Sequence, residues 1–384
     1  MQLSKTFSEF CHSERSGALV LMACTLFSLA IANSAVGPAY LSFWQNQVAG
    51  LSIEHWVNDA LMAVFFLLIG LELERELYVG ELSSIQNALL PIFAAVGGIL
   101  LPASIHYALN AGTPTQAGAG IPMATDIAFA LGALSLLGSR VPPSLKIFLA
   151  ATAVMDDLGA IVVISVFYST QFSVAWLAGA LAVFALLALA NRVWRVMVLT
   201  PYLIGGVLMW FLMLKSGVHA TLAGVLLAFA IPFSGKAEDE KSPSHRLQHL
   251  LHKPVAFLIL PLFALVNTGV VFDPQWQQSL TGANSLGIVV GLVLGKPLGI
   301  ALLCCAAVAL GLCKLPSDLT WRHIVGAGLL SGIGFTMSIF ITHLAFTGQA
   351  DIVNASKMAI LCASLLAGVL GVVWLRFFGQ TRKA

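Results

Sequence analysis

The feature that most restricts this chain is the recurrence of continuous apolar runs, each of about 18 residues or more, between residues 16 and 377. A bilayer's hydrocarbon core is about 30 Å thick, and one such helix crosses it. Transmembrane β-strands would alternate apolar and polar residues in segments of about ten. These runs are unbroken and rich in Leu, Ala, Val and Gly, so they read as helices. A soluble domain carries roughly 25% charged residues, whereas this chain has 9% charged and 59% hydrophobic residues, which excludes a water-soluble globule. The expected fold class is an all-α polytopic membrane protein.

Spans are expected near residues 16–33, 56–78, 87–107, 117–138, 144–168 and 173–191, then 197–214, 217–233, 254–272, 285–312, 323–346 and 356–377. The first, around Leu19–Ala32, ends in small residues as a signal peptide would. Glu9 and Glu14 beside Lys5 and Arg15 make an atypical leader, however, so it is read as a span. Basic residues test the twelve-span reading independently. With both termini in the cytoplasm, only Lys215 and Lys357 of the 19 Lys and Arg residues fall outside, and Lys296 lies within a span. All the others are cytoplasmic, as the positive-inside rule requires. A helix missed or invented midway would erase that asymmetry. The expected organisation is one transmembrane domain over 1–384, with cytoplasmic tails at 1–15 and 378–384 and a cytoplasmic loop at 234–253.

There is no soluble catalytic module. Gly295-Lys296-Pro297 lacks both the upstream glycine spacing and the Ser/Thr of a phosphate loop, which disfavours ATP-driven transport. The six cysteines show no CxxC or Cys/His spacing, so no disulfide, resident metal or other cofactor is expected, nor a nucleic-acid partner.

Attention therefore falls on charges inside spans, which are costly in a bilayer and functional by default. Asp126, Asp156 and Asp157 lie deep, Asp59 nearer an end, and Lys296 is the one deep base. Asp126 follows Pro122 and Thr125; the proline removes a backbone donor, and the threonine offers an oxygen, the pattern of a discontinuous helix. Asp156 and Asp157 are adjacent, so on a helix they point about 100° apart. One can face a cavity while the other faces a neighbouring helix. Two close carboxylates resist simultaneous ionisation, which lets such a site trade a proton for a cation. Lys296 is the counter-charge, with two roles open: a static partner or a proton carrier. In the eleventh span, Gly332 and Gly334 predict an unwound stretch and Thr336 offers another oxygen. Interrupted helices at matching places in two halves point to a transporter's midplane site. Spans 3–5 and 10–12 would form an inverted-topology repeat with crossed, discontinuous spans 4 and 11. At the crossing, Asp126 would offset half-helix N-termini and Lys296 the C-termini.

The segments Asn58–Glu72, Ala124–Gly132, Asp156–Gly159, Lys215–Gly224, Gly295–Gly299 and Gly332–Phe340 resemble the bacterial NhaA-type sodium/proton antiporters, in the expected order, from about residue 10 to 377. The resemblance implies a twelve-helix, multi-pass protein of the bacterial inner membrane. It implies electrogenic exchange of cytoplasmic Na⁺ or Li⁺ for external protons, serving sodium and pH homeostasis. Asp157 would be the main Na⁺ ligand and Asp156 a second proton-linked carboxylate paired with Lys296. Asp126 and Thr125 would support the crossing, and Asp59 would be an accessory charge. A homodimer is implied, with the Tyr40–Ile53 connection contributing a hairpin.

The family's activation at alkaline pH is associated with a charged cytoplasmic cluster, for which Glu72, Arg75, Glu76, His219, His249 and His252 are the candidates here. Histidine is the side chain suited to titration near neutrality. Two positions depart from the pattern: Glu74 stands where a base is expected and Gln248 where an acid is expected. Two rival functions fit the sequence less well. A sodium-coupled solute symporter would need an aromatic or Arg cluster near the crossing, which is lacking. An intramembrane aspartyl protease would place its two aspartates on separate helices with a GxGD step, which does not occur.

Overall fold

The computed structural model describes residues 5–168, 173–234, 242–272 and 276–379. The expected tails and loop therefore lie partly outside it, at 1–4, 380–384 and 235–241. In chain order the helices are α1 (Lys5–Ala32), α2 (Gly37–Trp44), α3 (Ile53–Tyr78), α4 (Ile85–Asn110), α5 (Ile127–Ser135), α6 (Pro143–Phe167), α7 (Val174–Arg192) and α8 (Thr200–Ser216). They continue as α9 (Leu222–Ala230), α10 (Pro243–Asn267), α11 (Trp276–Thr281), α12 (Ala283–Ala309), α13 (Trp321–Ser331), α14 (Phe335–Ala345) and α15 (Ala350–Phe378). A 3₁₀ segment, Pro114–Met123, precedes α5.

Among the described residues, seven helices are long and apolar enough to cross a membrane, and up to ten spans result if each of three bent pairs is one crossing. The protein is thus a multi-pass helical membrane protein. At the expected seventh and eighth positions stand α8 and α9, with 17 and 9 residues, shorter than a straight crossing requires.

The chain divides into two compact units. The first comprises Met1–Gly37, Ser84–Ala160 and Asn267–Ala384, and the second Pro38–Ser83 and Ile161–Val266. In the first unit α4 packs against α12, and at Gly97 and Gly299 no side chain separates their backbones. A Cβ on Gly97 would run into the Gly299 carbonyl, and one on Gly299 into that of Gly97. Pro297 has no N–H to continue the α-helical ladder, and α12 widens into a π turn over Gly291–Gly295. The Lys296 N–H there reaches back five residues to the Gly291 carbonyl. Such turns occur disproportionately at functional sites, and this one aims Lys296.

The same unit holds a polar network at the other end of α4. The buried His106 Nε2 lies 3.1 Å from Asn284 Oδ1, and Asn284 Nδ2 donates to Ser356 Oγ at 2.7 Å. Asn110 Nδ2 donates to the Ala283 carbonyl at 3.1 Å. Buried amides and hydroxyls without such partners would each cost about 1–3 kcal/mol.

In the second unit α3 and α9 pack closely around a core that includes Leu67, Leu71, Tyr202, Met209 and Leu227. A short antiparallel hairpin, β1 (Gln47–Val48) and β2 (Leu51–Ser52), falls inside the expected Tyr40–Ile53 connection. Ala49 and Gly50 turn it, with φ of 51° and 85°, the two positive values that a tight hairpin of matching twist requires.

Candidate functional site

The two bent helix pairs of the first unit meet at their breaks. The 3₁₀ segment Pro114–Met123 and α5 are bent by 42°, and α13 and α14 by 48°. Extended backbone at Ala124–Asp126 interrupts the first pair, and Gly332–Gly334 the second. At Gly332 the reason for glycine is close approach: a Cβ there would collide with the Leu292 carbonyl.

Asp126 is the N-cap of α5. Its Oδ1 accepts the Phe129 N–H at 3.1 Å, and its Oδ2 accepts the Thr336 N–H at 3.1 Å together with the Thr336 hydroxyl. Its own N–H donates to the Ile333 carbonyl at 2.6 Å. One carboxylate therefore caps the N-termini of α5 and α14, each of which carries a positive partial charge. Ser338 adds a further stitch by donating to the Ile121 carbonyl at 2.8 Å. Asp126→Ala is expected to destabilise the protein by about 2–4 kcal/mol, because a cap contributes roughly 1 kcal/mol and a charge-assisted bond about 1.5–3. Thermal unfolding in detergent measures this, with Asp126→Asn expected to lose less because the amide oxygen still accepts.

Lys296 complements the opposite ends. Its Nζ donates to the carbonyl of Met123, the last residue of the 3₁₀ segment, where the dipole is negative. It also lies 2.9 Å from Asp156 Oδ2, with both side chains fully buried. Thr125 Oγ1 donates to the same Asp156 oxygen at 2.7 Å and lies 3.0 Å from the carbonyl of Ser331, the last residue of α13. Asp156 is thus held through Oδ2, whereas its buried Oδ1 has no hydrogen-bond partner among the described residues. Asp157, also buried, acts electrostatically on Lys296. Two carboxylates and one ammonium accordingly share the place where two broken helices present their ends. They offer oxygen ligands to a hard cation (compare) and the same oxygens to protons.

Thr125, Asp126, Asp156, Asp157, Lys296, Gly332, Gly334 and Thr336 all fall in the first unit. Asp59, Glu72, Arg75, Glu76, His219, His249 and His252 fall in the second. There Asp59 lies in a π turn, Trp56–Leu61, and its Oδ2 is 2.8 Å from His55 Nε2, a partner that sequence reasoning missed although the i,i+4 spacing signals it. His219 Nε2 meets the Tyr168 carbonyl at 3.0 Å. Gln248, in place of an acid, forms a side-chain hydrogen bond with Glu72. Glu74, in place of a base, is buried and accepts a 3.4 Å bond from the buried Ser244 hydroxyl. The two departures from the family pattern thus each pair a carboxyl with a neutral group, Glu72 with the Gln248 amide and Glu74 with the Ser244 hydroxyl.

A multi-pass helical protein whose charged site lies where two interrupted helices meet belongs to the class of membrane ion transporters. Residues 8–375 match the Na⁺/H⁺ antiporter 1 family. The chain is 72% identical over 379 residues to the Na(+)/H(+) antiporter NhaA of Dechloromonas aromatica, covering 99% of this chain and 97% of that relative. It is 57% identical to Na(+)/H(+) antiporter NhaA 1 of Flavobacterium johnsoniae, with both chains covered in full. With the Na(+)/H(+) antiporter NhaA of Cytophaga hutchinsonii the identity is 56%, over 98% of this chain and 96% of that relative. The protein belongs to the NhaA-type Na⁺/H⁺ antiporter family.

Proposed function

We propose that this protein exchanges cytoplasmic Na⁺ or Li⁺ for external protons through Asp157 and Asp156. The observation that carries the reading is the juxtaposition of Asp156, Asp157 and Lys296, all buried, at the two helix breaks. A protonated carboxylate is neutral and tolerates a dry site; a dehydrated Na⁺ requires an ionised one. If cation and protons exclude each other there, alternating access alone couples their movements in opposite directions. Lys296 engages one carboxylate directly: Asp156 Oδ2 is held by the ammonium and by Thr125, and Asp157 beside it is the main cation ligand.

The cycle carries more protons than cations and is electrogenic, so a membrane potential drives it at about 2.3 kcal/mol per charge per 100 mV. It is pH-regulated: abundant cytoplasmic protons keep the carboxylates occupied and slow Na⁺ capture, with the Glu72–Arg75–Glu76 segment and His219, His249 and His252 as the modulating groups. The full topology is twelve spans with both termini cytoplasmic and inverted repeats over spans 3–5 and 10–12. The protein resides in the bacterial inner membrane and forms a homodimer through the β1–β2 hairpin. No resident cofactor takes part, and the protein acts as a transporter with no enzymatic activity.

Proteoliposomes with a lumenal pH indicator test the function. Addition of Na⁺ or Li⁺ is expected to move protons in the opposite direction, and to do so faster when a potential of the favourable sign is imposed. If neither ion moves protons, the antiport reading is wrong.

A further inference from the structure

Asp156 is not the only buried oxygen without a partner on its face of α6. Thr152 lies four residues earlier, so it shares the Asp156 face one turn away, with Cβ atoms about 6 Å apart. Its side chain is 1% exposed, and its hydroxyl has no hydrogen-bond partner among the described residues. A threonine inside a helix ordinarily resolves this by donating to the carbonyl four residues back. This protein uses that solution elsewhere: Thr25 Oγ1 donates to the Leu21 carbonyl at 2.9 Å and Thr342 Oγ1 to that of Ser338 at 2.8 Å. Thr152 does not turn back to its own helix. The Asp156 oxygen beside it, Oδ1, is likewise buried and without a partner, and it lies near the α4 backbone: a Cβ built on Gly98 would be 3.5 Å from it. The lack of a side chain at Gly98 keeps that approach open.

We infer that the Thr152 hydroxyl is a further oxygen for the transported cation, acting with Asp156 Oδ1 on one face of α6. The inference rests on the antiport reading above and adds a residue to it. A neutral hydroxyl suits this role. It contributes a lone pair to Na⁺ or to a water the ion retains, and it adds no charge that protons must balance. When protons replace the cation, the same hydroxyl can donate to an ionised carboxylate or accept from a protonated one, so it serves both halves of the cycle.

The test compares Thr152→Val with Thr152→Ser in proteoliposomes, reading KM and kcat for Na⁺ separately beside the thermal midpoint. Valine keeps the shape and removes the hydroxyl. If Thr152 only packs, deleting an unsatisfied buried hydroxyl leaves KM unchanged while stability holds or rises. If it binds the cation, the KM for Na⁺ rises roughly five- to tenfold, the scale of one lost hydrogen-bond-strength contact. The thermal midpoint then does not fall and kcat stays within about twofold of the unmodified protein. Thr152→Ser is expected to restore KM to within about twofold, because the oxygen is retained. A Thr152→Val KM within twofold of the unmodified value overturns the inference, as does a Thr152→Ser protein as impaired as Thr152→Val. An unmodified protein that moves no protons with Na⁺ is a different failure: it overturns the antiport reading and this inference together.

Discussion

Asp157→Asn is expected to suppress Na⁺-dependent proton movement in proteoliposomes by about a hundredfold or more. Asparagine matches aspartate in shape but neither takes up a proton nor balances a cation. Asp157 is 1% exposed in a helix of the first unit, so a Na⁺ placed there without its carboxylate is a poorly compensated charge inside a membrane. That deficit is worth several kcal/mol, and each 1.36 kcal/mol is tenfold. The fold should be retained, because asparagine fills the same volume and Lys296 keeps its direct partner Asp156, and the thermal midpoint in detergent checks this. Activity above about a tenth of the unmodified rate would mean that the exchange runs on Asp156 and leaves Asp157 a bystander.

Lys296→Met is expected to destabilise the protein by about 3–5 kcal/mol, since it strips one partner from a fully buried ion pair and leaves the other. The Met123 carbonyl at the end of the 3₁₀ segment loses its donor in the same change, and Asp156 Oδ2 keeps only Thr125. Replacing the whole pair should be far milder: buried ion pairs exchanged for neutral groups of similar volume are often neutral in stability. The double variant Asp156→Asn/Lys296→Met is therefore expected to recover much of the lost thermal midpoint. Contacting residues couple in this way, and a double-mutant cycle measures the coupling. A double variant that unfolds as early as Lys296→Met would assign the loss to Met123 and the helix break instead of to the stranded carboxylate.

The sequence made the membrane class legible because a bilayer sets an element length that composition cannot disguise. It also marked both helix breaks, since Pro122 and the Gly332/Gly334 pair carry backbone signatures. The deep charges were legible for a related reason: an acid within an apolar run is conspicuous, and lipid allows few explanations for it. Their division was legible in outline, with Asp126 at half-helix N-termini and Lys296 at C-termini, but the contacts that achieve it were not. That Asp126 caps α5 and α14 together depends on a backbone approach between residues 126 and 333 that no local pattern encodes. The π turn that aims Lys296 was hidden because Gly291–Gly295 reads as ordinary apolar helix, although Pro297 beyond it was a usable signal. Thr152 is inconspicuous for the opposite reason, as an ordinary residue in an apolar run whose meaning appears only once its hydroxyl is seen to make no hydrogen bond among the described residues. In the second unit, Glu74 and Gln248 looked like gaps in a charged cluster. Their partners, Ser244 and Glu72, are 170 and 176 residues away along the chain.

The central claim is that cation and protons compete for the same buried carboxylates. Proton release on Na⁺ binding tests it directly, with purified protein in detergent and calorimetry in buffers of different ionisation enthalpy. At mildly alkaline pH, Na⁺ is expected to displace protons into the buffer, so the observed heat varies with the buffer, and both the release and the binding vanish in Asp157→Asn. Na⁺ binding with a heat independent of the buffer across the active pH range would contradict competition at these residues.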